Sequence, residues 1–212
     1  MQEQINIIDC YDTTAKAYAD KFINELEQKH LDKLLLSAFA KENKTKGKFI
    51  DLGCGPGQTT KYLSDQGIED LIGTDISPEM MRIAKEINPH LNFETANMLE
   101  LNYPDGYFGS AIAFYSIVHF DLSQLQTALK EVKRVLKNGG EFLFSFHVGA
   151  DIIHLDEFLN KSVNIDFHFF ETKKVLEMVL ENKFEIIDIL ERQPYKDAEH
   201  PSTRAYVWIK KV

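Results

Sequence analysis

Short apolar runs alternate with amphipathic, helix-like stretches along most of this chain, and this alternation restricts the possible folds more than any other feature of the sequence. The runs are Lys48–Leu52, Asp70–Thr74, Leu91–Glu94, Gly109–Tyr115, Glu141–Phe146, Phe184–Leu190 and Ala205–Lys210. Strands that alternate with helices form parallel βαβ units, in which helices cover both faces of one sheet. The sequence therefore predicts an α/β, Rossmann-like fold with a seven-stranded, mostly parallel sheet.

The stretches between the first five runs contain helix signals. They are Gln58–Gln66, Pro78–Ile87, a short irregular piece at Leu99–Asp105, and Leu122–Leu136. In the last of these, apolar residues recur every three or four positions, which is the period of an α-helix. Ser77 before Pro78 indicates a helix start. Asp121 or Ser123 can cap the long helix, and Asn138-Gly139-Gly140 is expected to end it.

The two ends of the chain and one internal segment depart from this alternation. The last two runs are separated only by a polar loop with two prolines, so they are expected to pair as an antiparallel hairpin,. The residues from Thr13 to about Lys41 predict one or two amphipathic helices, and we assign 1–46 to an N-terminal helical cap. The segment 148–170 has weak periodicity and many aromatic residues, and it is a candidate substrate lid. We expect a single domain, 1–212.

The composition excludes several classes of protein. The 212 residues include 33 Asp plus Glu against 24 Lys plus Arg, for a net charge of −9. Such a chain is a poor partner for nucleic-acid phosphates or anionic lipid, so we expect neither a nucleic-acid nor a membrane partner. Cys10 and Cys54 provide no disulfide framework, and His154 and His168 lack metal-site spacing, so we expect no metal ion. Without a signal-peptide pattern at its start, we expect a cytoplasmic monomer or homodimer.

The strongest chemical signal follows the first predicted strand, in Asp51-Leu-Gly-Cys-Gly-Pro-Gly57. Three glycines at alternate positions let the backbone turn tightly and approach a ligand closely. The helix that follows presents free amides and the positive end of its dipole to a carboxylate or phosphate. Asp75 ends the second predicted strand, where a carboxylate can accept hydrogen bonds from a ribose diol. It can alternatively cap the next helix, although Ser77 is better placed for that role.

Four segments together resemble the class I S-adenosylmethionine (SAM) dependent methyltransferases. They are Asp51-Leu-Gly-Cys-Gly-Pro-Gly57, Asp75-Ile-Ser-Pro-Glu-Met80, Tyr103-Pro-Asp-Gly-Tyr-Phe108 and Leu129-Lys-Glu-Val-Lys-Arg-Val-Leu-Lys-Asn-Gly-Gly140. The chain is similar to the small-molecule branch related to ubiquinone/menaquinone-type methyltransferases, from about Tyr11 to the C-terminus. This resemblance implies SAM as cofactor and S-adenosylhomocysteine as product. It also implies in-line transfer of a methyl group to a small-molecule acceptor, which it does not specify.

The resemblance assigns residues to the SAM site. It implies that Asp51 holds the methionine ammonium and that Asp75 binds the ribose. The other implied contacts are Gly53, Cys54 and Gly55 at the methionine part, Ile76 and Met80 beside the ribose and adenine, Asn97 and Met98 at the adenine edge, Tyr115 and Ser116 beside the sulfonium, and Tyr11 and Tyr18 from an N-terminal helix. Many relatives have an acid at the position of Asn97, so hydrogen bonding to adenine is expected to differ here.

Two histidines and one loop are candidates for the acceptor side. A base is needed only when the acceptor arrives protonated, and His119, just past the fourth strand, is the leading candidate. His147, at the end of the fifth strand, faces the same rim. His119 can instead shape its loop, and His147 can be an exposed strand-end residue. Glu199, His200 and Arg204 are expected to face the acceptor, with Arg204 clamping an anionic group or, alternatively, forming a surface ion pair.

Three functions stay open at this point. The first is an active methyltransferase, and the second is a non-catalytic module that binds SAM or S-adenosylhomocysteine. The third is a nucleotide-dependent oxidoreductase, which the Gly-x-Gly-x-Gly spacing disfavours because dinucleotide folds use Gly-x-Gly-x-x-Gly. The fourth strand is followed by Phe114-Tyr-Ser-Ile-Val-His119, not by Asn-Pro-Pro-Tyr or Asp-Pro-Pro-Tyr. That difference argues against methylation of adenine or glutamine amide nitrogens.

Overall fold

The computed structural model describes residues 2–196 and 198–212. Residue 1 of the predicted cap and residue 197 of the loop before the last strand lie outside the described residues. The helices are α1 (Gln2–Phe22), a short 3₁₀ helix (Glu25–Gln28), α2 (His30–Asn43), α3 (Gln58–Asp65), α4 (Pro78–Ile87), α5 (Leu122–Val135) and α6 (Thr172–Glu181). The strands are β1 (Phe49–Leu52), β2 (Leu71–Asp75), β3 (Asn92–Thr95), β4 (Phe108–Ala113), β5 (Leu136–His147), β6 (Ile152–Phe158), β7 (Lys161–His168), β8 (Phe184–Arg192) and β9 (Arg204–Lys211). Within these described parts, no helix combines the length and the apolar character that crossing a membrane requires.

Seven strands form one sheet, in the order β3-β2-β1-β4-β5-β9-β8. β1 pairs in parallel with both β2 and β4, and β5 extends the parallel part beside β4. β9 lies between β5 and β8 and runs antiparallel to both. The prediction of a seven-stranded, mostly parallel sheet with an antiparallel C-terminal strand is confirmed. Because parallel strands end at the same edge, the loops after β1, β2 and β4 meet there.

Helices cover both faces of this sheet, as predicted. Phe49 and Ile50 are neighbours in β1, so their side chains point to opposite faces, and both are fully buried,. Phe49 packs in a core with Leu63 of α3 and with residues of α2. Ile50 packs in a second core with Val132 of α5 and with residues of α6. Apart from Asp51, the short strand β1 is apolar because neither of its faces meets water,.

Side-chain caps start α4 and α5 where the sequence predicts them. The Ser77 hydroxyl oxygen accepts a hydrogen bond from Met80 N–H at 3.1 Å. Asp121 caps α5 in a capping box with Gln124, which decides the predicted choice between Asp121 and Ser123,. Each cap satisfies backbone donors that have no partner inside the helix.

The helical cap is present, but it begins earlier than predicted. α1 starts at Gln2 rather than near Thr13. Ile7 and Cys10, in its first half, are buried against the rest of the chain. Tertiary packing of these positions therefore stabilises turns that the weak local pattern did not indicate.

The end of α5 was also predicted wrongly. α5 ends at Val135, and β5 begins at once at Leu136 and pairs there with Phe108. Gly139, with φ +77°, lies inside β5 instead of ending the helix. The glycine pair therefore bends the start of a strand.

The candidate lid, 148–170, contains a β-hairpin. β6 and β7 pair antiparallel through a two-residue turn, in which Leu159 and Asn160 have φ values of 51° and 61°. Two consecutive positive φ values are typical of a type I′ turn. The His168 N–H donates to the Val118 carbonyl at 2.7 Å, which fixes the hairpin to the loop after β4. α6, which follows, was not predicted.

Candidate active site

A cavity of about 270 Å³ lies between the carboxyl ends of the parallel strands, α1 and the β6–β7 hairpin. It is lined by every residue predicted for cofactor binding: Tyr11, Tyr18, Asp51, Gly53, Cys54, Gly55, Asp75, Ile76, Met80, Asn97, Met98, Tyr115 and Ser116. The predicted catalytic and acceptor residues line it too: His119, His147, Glu199, His200 and Arg204. The fold therefore brings the whole predicted set to one place, while the individual roles stay predictions.

The glycine loop after β1 forms the floor of the cavity through its backbone. Gly53 has φ +70°, and a Cβ atom there would lie 2.2 Å from the Cβ of Ser116. Gly57 has φ +87°, and its Cβ atom would lie 2.8 Å from the Phe93 ring. Both positions require glycine because of backbone conformation and close neighbours. The loop after β1 consequently packs directly on the loop after β4.

The Asp75 carboxylate connects the glycine loop to the start of α4. One oxygen accepts a hydrogen bond from Gly55 N–H at 3.0 Å, and the other accepts one from Ser77 N–H at 2.9 Å. Burial raises the pKa of Asp75 above its ordinary value, although these backbone donors act in the opposite direction. The carboxylate is thus fixed at the end of β2, where it lines the cavity.

The Asp51 carboxylate is almost completely buried, with 1% of the residue exposed. One oxygen accepts a hydrogen bond from the Thr60 hydroxyl at 2.7 Å. Burial raises the pKa of Asp51 to about 7, and the nearby charge of Asp75 acts in the same direction. None of the ion pairs among the described residues includes either carboxylate. Asp51 is thus buried and Asp75 half-buried, and neither has a cationic partner among the described residues.

The next wall of the cavity is mainly apolar. Met80 and Met98 are 1% and 8% exposed, and Ile76 lies beside them in the lining. Asn97 is the polar exception, and its Oδ1 accepts a hydrogen bond from Leu99 N–H at 3.0 Å. Its NH₂ group is the donor it can offer to a ligand.

The loop after β4 has an unusual backbone at Tyr115. β4 ends at Ala113, so the predicted strand Gly109–Tyr115 was too long, and Tyr115 has φ +57°. The Tyr115 N–H donates to the Ser145 hydroxyl at 2.9 Å, which holds this conformation. The neighbouring Ser116 Oγ is buried and has no hydrogen-bond partner among the described residues. A strained backbone next to an unsatisfied hydroxyl is typical of a functional position.

His119 occupies a defined position between α1 and β7. Its Nδ1 lies 2.8 Å from the Asp166 carbonyl oxygen, which can only accept, so Nδ1 carries the proton,. Its Nε2 lies 2.7 Å from the Tyr11 hydroxyl and accepts that hydrogen bond. Burial lowers the pKa of His119 to about 4. His119 is therefore a neutral imidazole whose unprotonated nitrogen faces Tyr11.

His147 is half-buried at the end of β5, so its alternative as an exposed strand-end residue was wrong. Its Nδ1 lies 2.7 Å from the Ser202 hydroxyl, and its ring stacks on Phe169 at 5.1 Å. The His200 ring lies 6.0 Å away and perpendicular to it. Burial, and then the charge of Arg204, lower the pKa of His147 to about 3.

Arg204 pairs with a neighbouring acid, Glu199, as the alternative expected, but the pair is buried and does not lie on the surface. Its guanidinium donates to the carbonyl oxygens of His200 and Ser202, and its Nε lies 3.1 Å from Glu199. The Arg204 guanidinium, which was expected to bind an anionic acceptor, is therefore already bound by Glu199 and by two carbonyl oxygens of the protein. The clamp stays a prediction.

Arg204 and Glu199 belong to a larger group that we call the buried charge cluster, made of Lys29, Asp32, Arg192, Glu199 and Arg204. Arg192 forms ion pairs with Asp32, at 2.8 Å, and with Glu199. Lys29 lies 3.9 Å from Glu199. Lys29, Asp32 and Arg192 could not be predicted from the sequence. Asp32 and Arg192, for example, are 160 positions apart, so their pairing leaves no local pattern.

The sequence analysis also missed an aromatic wall made by α1 and the hairpin. Phe22, Phe158 and Phe167 line the cavity. The Tyr18 ring lies 4.5 Å from that of Phe22 and 6.4 Å from that of Phe158, and Tyr11 also lies 6.4 Å from Phe158. The many aromatic residues of the lid segment were the available signal, although simple core packing explains such a pattern equally well.

Comparisons with known proteins agree with this geometry. Residues 50–144 match the family described as "Methyltransferase domain". A SAM-dependent methyltransferase of Methanosarcina mazei has a similar fold, with a TM-score of 0.69 at 20% identity over 78% of this chain and 92% of that one. The family match covers the glycine loop, Asp75 and the strands that position them. Residues 50–144, somewhat less than half of this chain, thus match a methyltransferase domain.

Two relatives resemble this methyltransferase domain in sequence. An uncharacterized protein of Methanocaldococcus jannaschii is 33% identical over 144 residues, which are 68% of this chain and 53% of that protein. An uncharacterized methyltransferase of Bacillus subtilis is 31% identical over 124 residues, which are 56% of this chain and 48% of that protein. The chain thus spans about half the length of the curated relatives it matches.

The cofactor of this methyltransferase domain is SAM, and the residues of the cavity fit it. SAM carries a sulfonium and an ammonium group, whose positive charges favour the ionised forms of Asp51 and Asp75. The unsatisfied Ser116 hydroxyl and the Asn97 amide are polar groups that a ligand can bind. A cationic ligand thus supplies the charge that the described side chains do not.

Proposed function

We propose that this chain transfers the methyl group of SAM to a small-molecule acceptor. The observation that carries this proposal is the pair of carboxylates at the ends of β1 and β2, next to the glycine loop: Asp51 is buried, Asp75 is half-buried, and neither has a cationic partner among the described residues. The net charge of −9 favours a small acceptor over a nucleic acid or a membrane surface,. We also propose that the protein acts in the cytoplasm as a monomer or homodimer.

SAM supplies an activated methyl group, so the S–CH₃ bond breaks as a new bond forms between carbon and the acceptor. The work of the protein is then to align the acceptor and to exclude water. Asp51 and Asp75 would hold the ammonium and the ribose, and Asn97 the adenine edge. Tyr11, Tyr18 and the hairpin would cover the cofactor. Near the reacting end, the backbone of Tyr115 and the hydroxyl of Ser116 would form the floor.

His119 is our candidate for the base. Its proton is fixed on Nδ1 by the Asp166 carbonyl, so its Nε2 is the atom that can take a proton. In the structure the Tyr11 hydroxyl occupies this nitrogen, so an acceptor meets Tyr11 first or displaces it. A base with a pKa of about 4 suffices when methylation itself acidifies the acceptor, because the proton is then lost from a cationic product,.

Substitution of His119 tests this role. His119→Phe should lower turnover at least about a hundredfold, the lower end of what a general base contributes, while SAM affinity stays near that of the wild type. His90→Phe, on the exposed loop between α4 and β3, is the matched control and should keep full activity. Turnover that is unchanged in His119→Phe would leave the histidine with only its role in shaping the loop.

We propose that the end of the cavity that binds the acceptor is formed by His147, Glu199, His200 and Arg204. The two imidazole rings lie at right angles beside Phe169, and the buried charge cluster lies behind them. Because Glu199 and Arg204 neutralise each other, we propose that they orient the His147 and His200 rings. Arg204 would bind an anionic group only when that group replaces Glu199.

The test of the whole function is transfer of a labelled methyl group. The chain, labelled SAM and a small-molecule extract of bacterial cells should yield a labelled product and S-adenosylhomocysteine in equal amounts. The same mixture with Asp75→Ala should yield neither. Tight SAM binding with no transfer in extracts from several sources would instead identify a non-catalytic binding module.

A further inference from the structure

One residue of α1, Asp12, joins two elements that lie on different sides of the cavity. Its Oδ1 accepts a hydrogen bond from the Ser77 hydroxyl at 2.5 Å and a second from the Glu79 N–H at 3.1 Å. Both donors belong to the first turn of α4, directly after Asp75. Asp12 does not line the cavity itself, so its contacts hold α1 against the start of α4.

The residue before it connects the same helix to the opposite wall. The Tyr11 hydroxyl donates to His119 Nε2 at 2.7 Å, on the loop after β4. Residues 11 and 12 therefore fasten α1 across the cavity, with one side chain on the loop that follows β4 and the next on the start of α4. Ala15 and Ala19, small residues further along α1, pack with Met80.

α1 also covers the deepest part of the site. A Cβ atom at Gly55 would lie 3.7 Å from the Tyr18 ring, so this side chain stands directly over the glycine loop. Asp51 lines the same cavity but is only 1% exposed, so its carboxylate lies deep in the site. Movement of α1, which covers this part of the site, would widen the way by which a ligand reaches and leaves Asp51.

We propose that Asp12 is a positioning residue that latches α1 onto the start of α4 and thereby sets how fast SAM enters and leaves. This inference rests on the proposed function only in taking SAM as the ligand of the cavity. Asp12 contacts only protein groups outside the cavity lining, so the latch can form in both the free and the SAM-bound protein and would stabilise the closed arrangement of each. Its loss should therefore speed entry as well as exit.

The test is the kinetics of SAM binding, measured by surface plasmon resonance with the full chain attached through its C-terminus. Asp12→Ala should raise the dissociation rate constant about tenfold, which corresponds to 1.4 kcal/mol. The association rate constant should rise as well, so that Kd increases by less than the dissociation rate constant. A residue that only supports the shape of the site would raise Kd without accelerating association.

Two further variants make this test specific. Asp12→Asn keeps an Oδ1 atom that can accept both hydrogen bonds, so its two rate constants should stay within about twofold of the wild type. Asp9→Ala removes an exposed carboxylate one turn earlier on α1 and should change neither rate constant. Thermal unfolding of each variant, followed by circular dichroism, confirms that the compared proteins are folded.

Several results would overturn the proposal. An unchanged dissociation rate constant in Asp12→Ala would show that the latch does not control exchange. Faster dissociation without faster association, or an Asp12→Asn variant as impaired as Asp12→Ala, would show that the residue acts only on the geometry or charge of the site. If the wild-type chain does not bind SAM at all, the cofactor assignment itself fails, and this outcome is distinct from a change in exchange rates.

Discussion

Two groups of buried charge lie beside the same cavity, and they are arranged in opposite ways. At the ends of β1 and β2, buried Asp51 and half-buried Asp75 accept hydrogen bonds but have no cationic partner among the described residues. In the buried charge cluster, Arg192 lies between Asp32 and Glu199, and each carboxylate has a basic partner. Burial of an ion is costly unless an opposite charge accompanies it.

This difference indicates that the buried charge cluster stabilises the fold and that Asp51 and Asp75 bind a ligand. The cluster is electrostatically complete, so it fixes α2, β8 and the loop before β9 to one another. The two acids at the strand ends are incomplete, and burial raises the pKa of both. The cationic ammonium of SAM would neutralise Asp51, and the ribose diol would donate hydrogen bonds to Asp75. If this comparison is right, substitutions in the cluster should affect stability, and substitutions at the strand ends should affect SAM binding.

The largest effect is expected in the cluster. Arg192→Met leaves Asp32 and Glu199 buried without their main partner, and the free energy of unfolding should fall by about 3–5 kcal/mol. Urea denaturation measures this loss. Arg82→Met, which breaks exposed pairs with Glu79 and Glu86 on α4, is the control and should cost less than about 1 kcal/mol,. Equal losses in the two variants would contradict the structural role of the cluster.

A smaller effect, on binding rather than on stability, is expected at the end of β2. Asp75→Ala should weaken SAM binding more than about tenfold, or 1.4 kcal/mol, with a smaller loss of stability than Arg192→Met. Isothermal titration calorimetry gives the affinity. Asp70→Ala is the matched control, because Asp70 precedes the other end of the same strand and is exposed. Wild-type affinity in Asp75→Ala would remove this residue from the site.

The smallest effect is a pH dependence at Asp51. Its pKa in the ligand-free protein is about 7, so below pH 7 SAM must displace a proton to bind next to the carboxylate. Affinity for SAM should therefore fall about tenfold between pH 8 and pH 6, following the fraction of ionised Asp51. Asp51→Asn should remove this slope at lower overall affinity. A wild-type affinity independent of pH would mean that Asp51 does not contact the cation.

The raised pKa of Asp51 gives folding stability the opposite pH dependence to that of SAM affinity. The unfolded Asp51 loses its proton near pH 4, whereas the folded protein holds it to about pH 7,. The folded state therefore binds more protons between these values, and the stability of the ligand-free chain should decrease as pH rises from 4 to 7. Asp51→Asn should lack this contribution when the free energy of unfolding is measured over that range.

Local patterns in the sequence were sufficient to predict the sheet and to place Asp51 and Asp75 at its edge. Most strands of the sheet are short and largely apolar, and Asp51 and Asp75 lie at the carboxyl ends of two of them, where parallel strands meet. The glycine spacing is local as well. The chain positions of these residues therefore placed them at one edge of the sheet without any knowledge of distant contacts.

The covering elements could not be predicted in the same way. The hairpin turns at Leu159-Asn160, where both residues have positive φ although neither is glycine, so the usual turn signal is missing,. Asp32 and Arg192 meet only because α2 packs beside β8. For α6 a signal was available, since Val175 and Val179 are spaced for one helix face and both are buried,.

The most direct test of the account is a crystal structure of the chain with SAM or S-adenosylhomocysteine bound. We predict the methionine ammonium of SAM beside Asp51, the ribose diol on the Asp75 carboxylate, and the adenine edge at Asn97. The buried charge cluster should keep its ion pairs unchanged. A cofactor bound elsewhere, or one whose ammonium pairs with Glu199 of the cluster, would contradict the assignment of Asp51 and Asp75 as the residues that bind SAM.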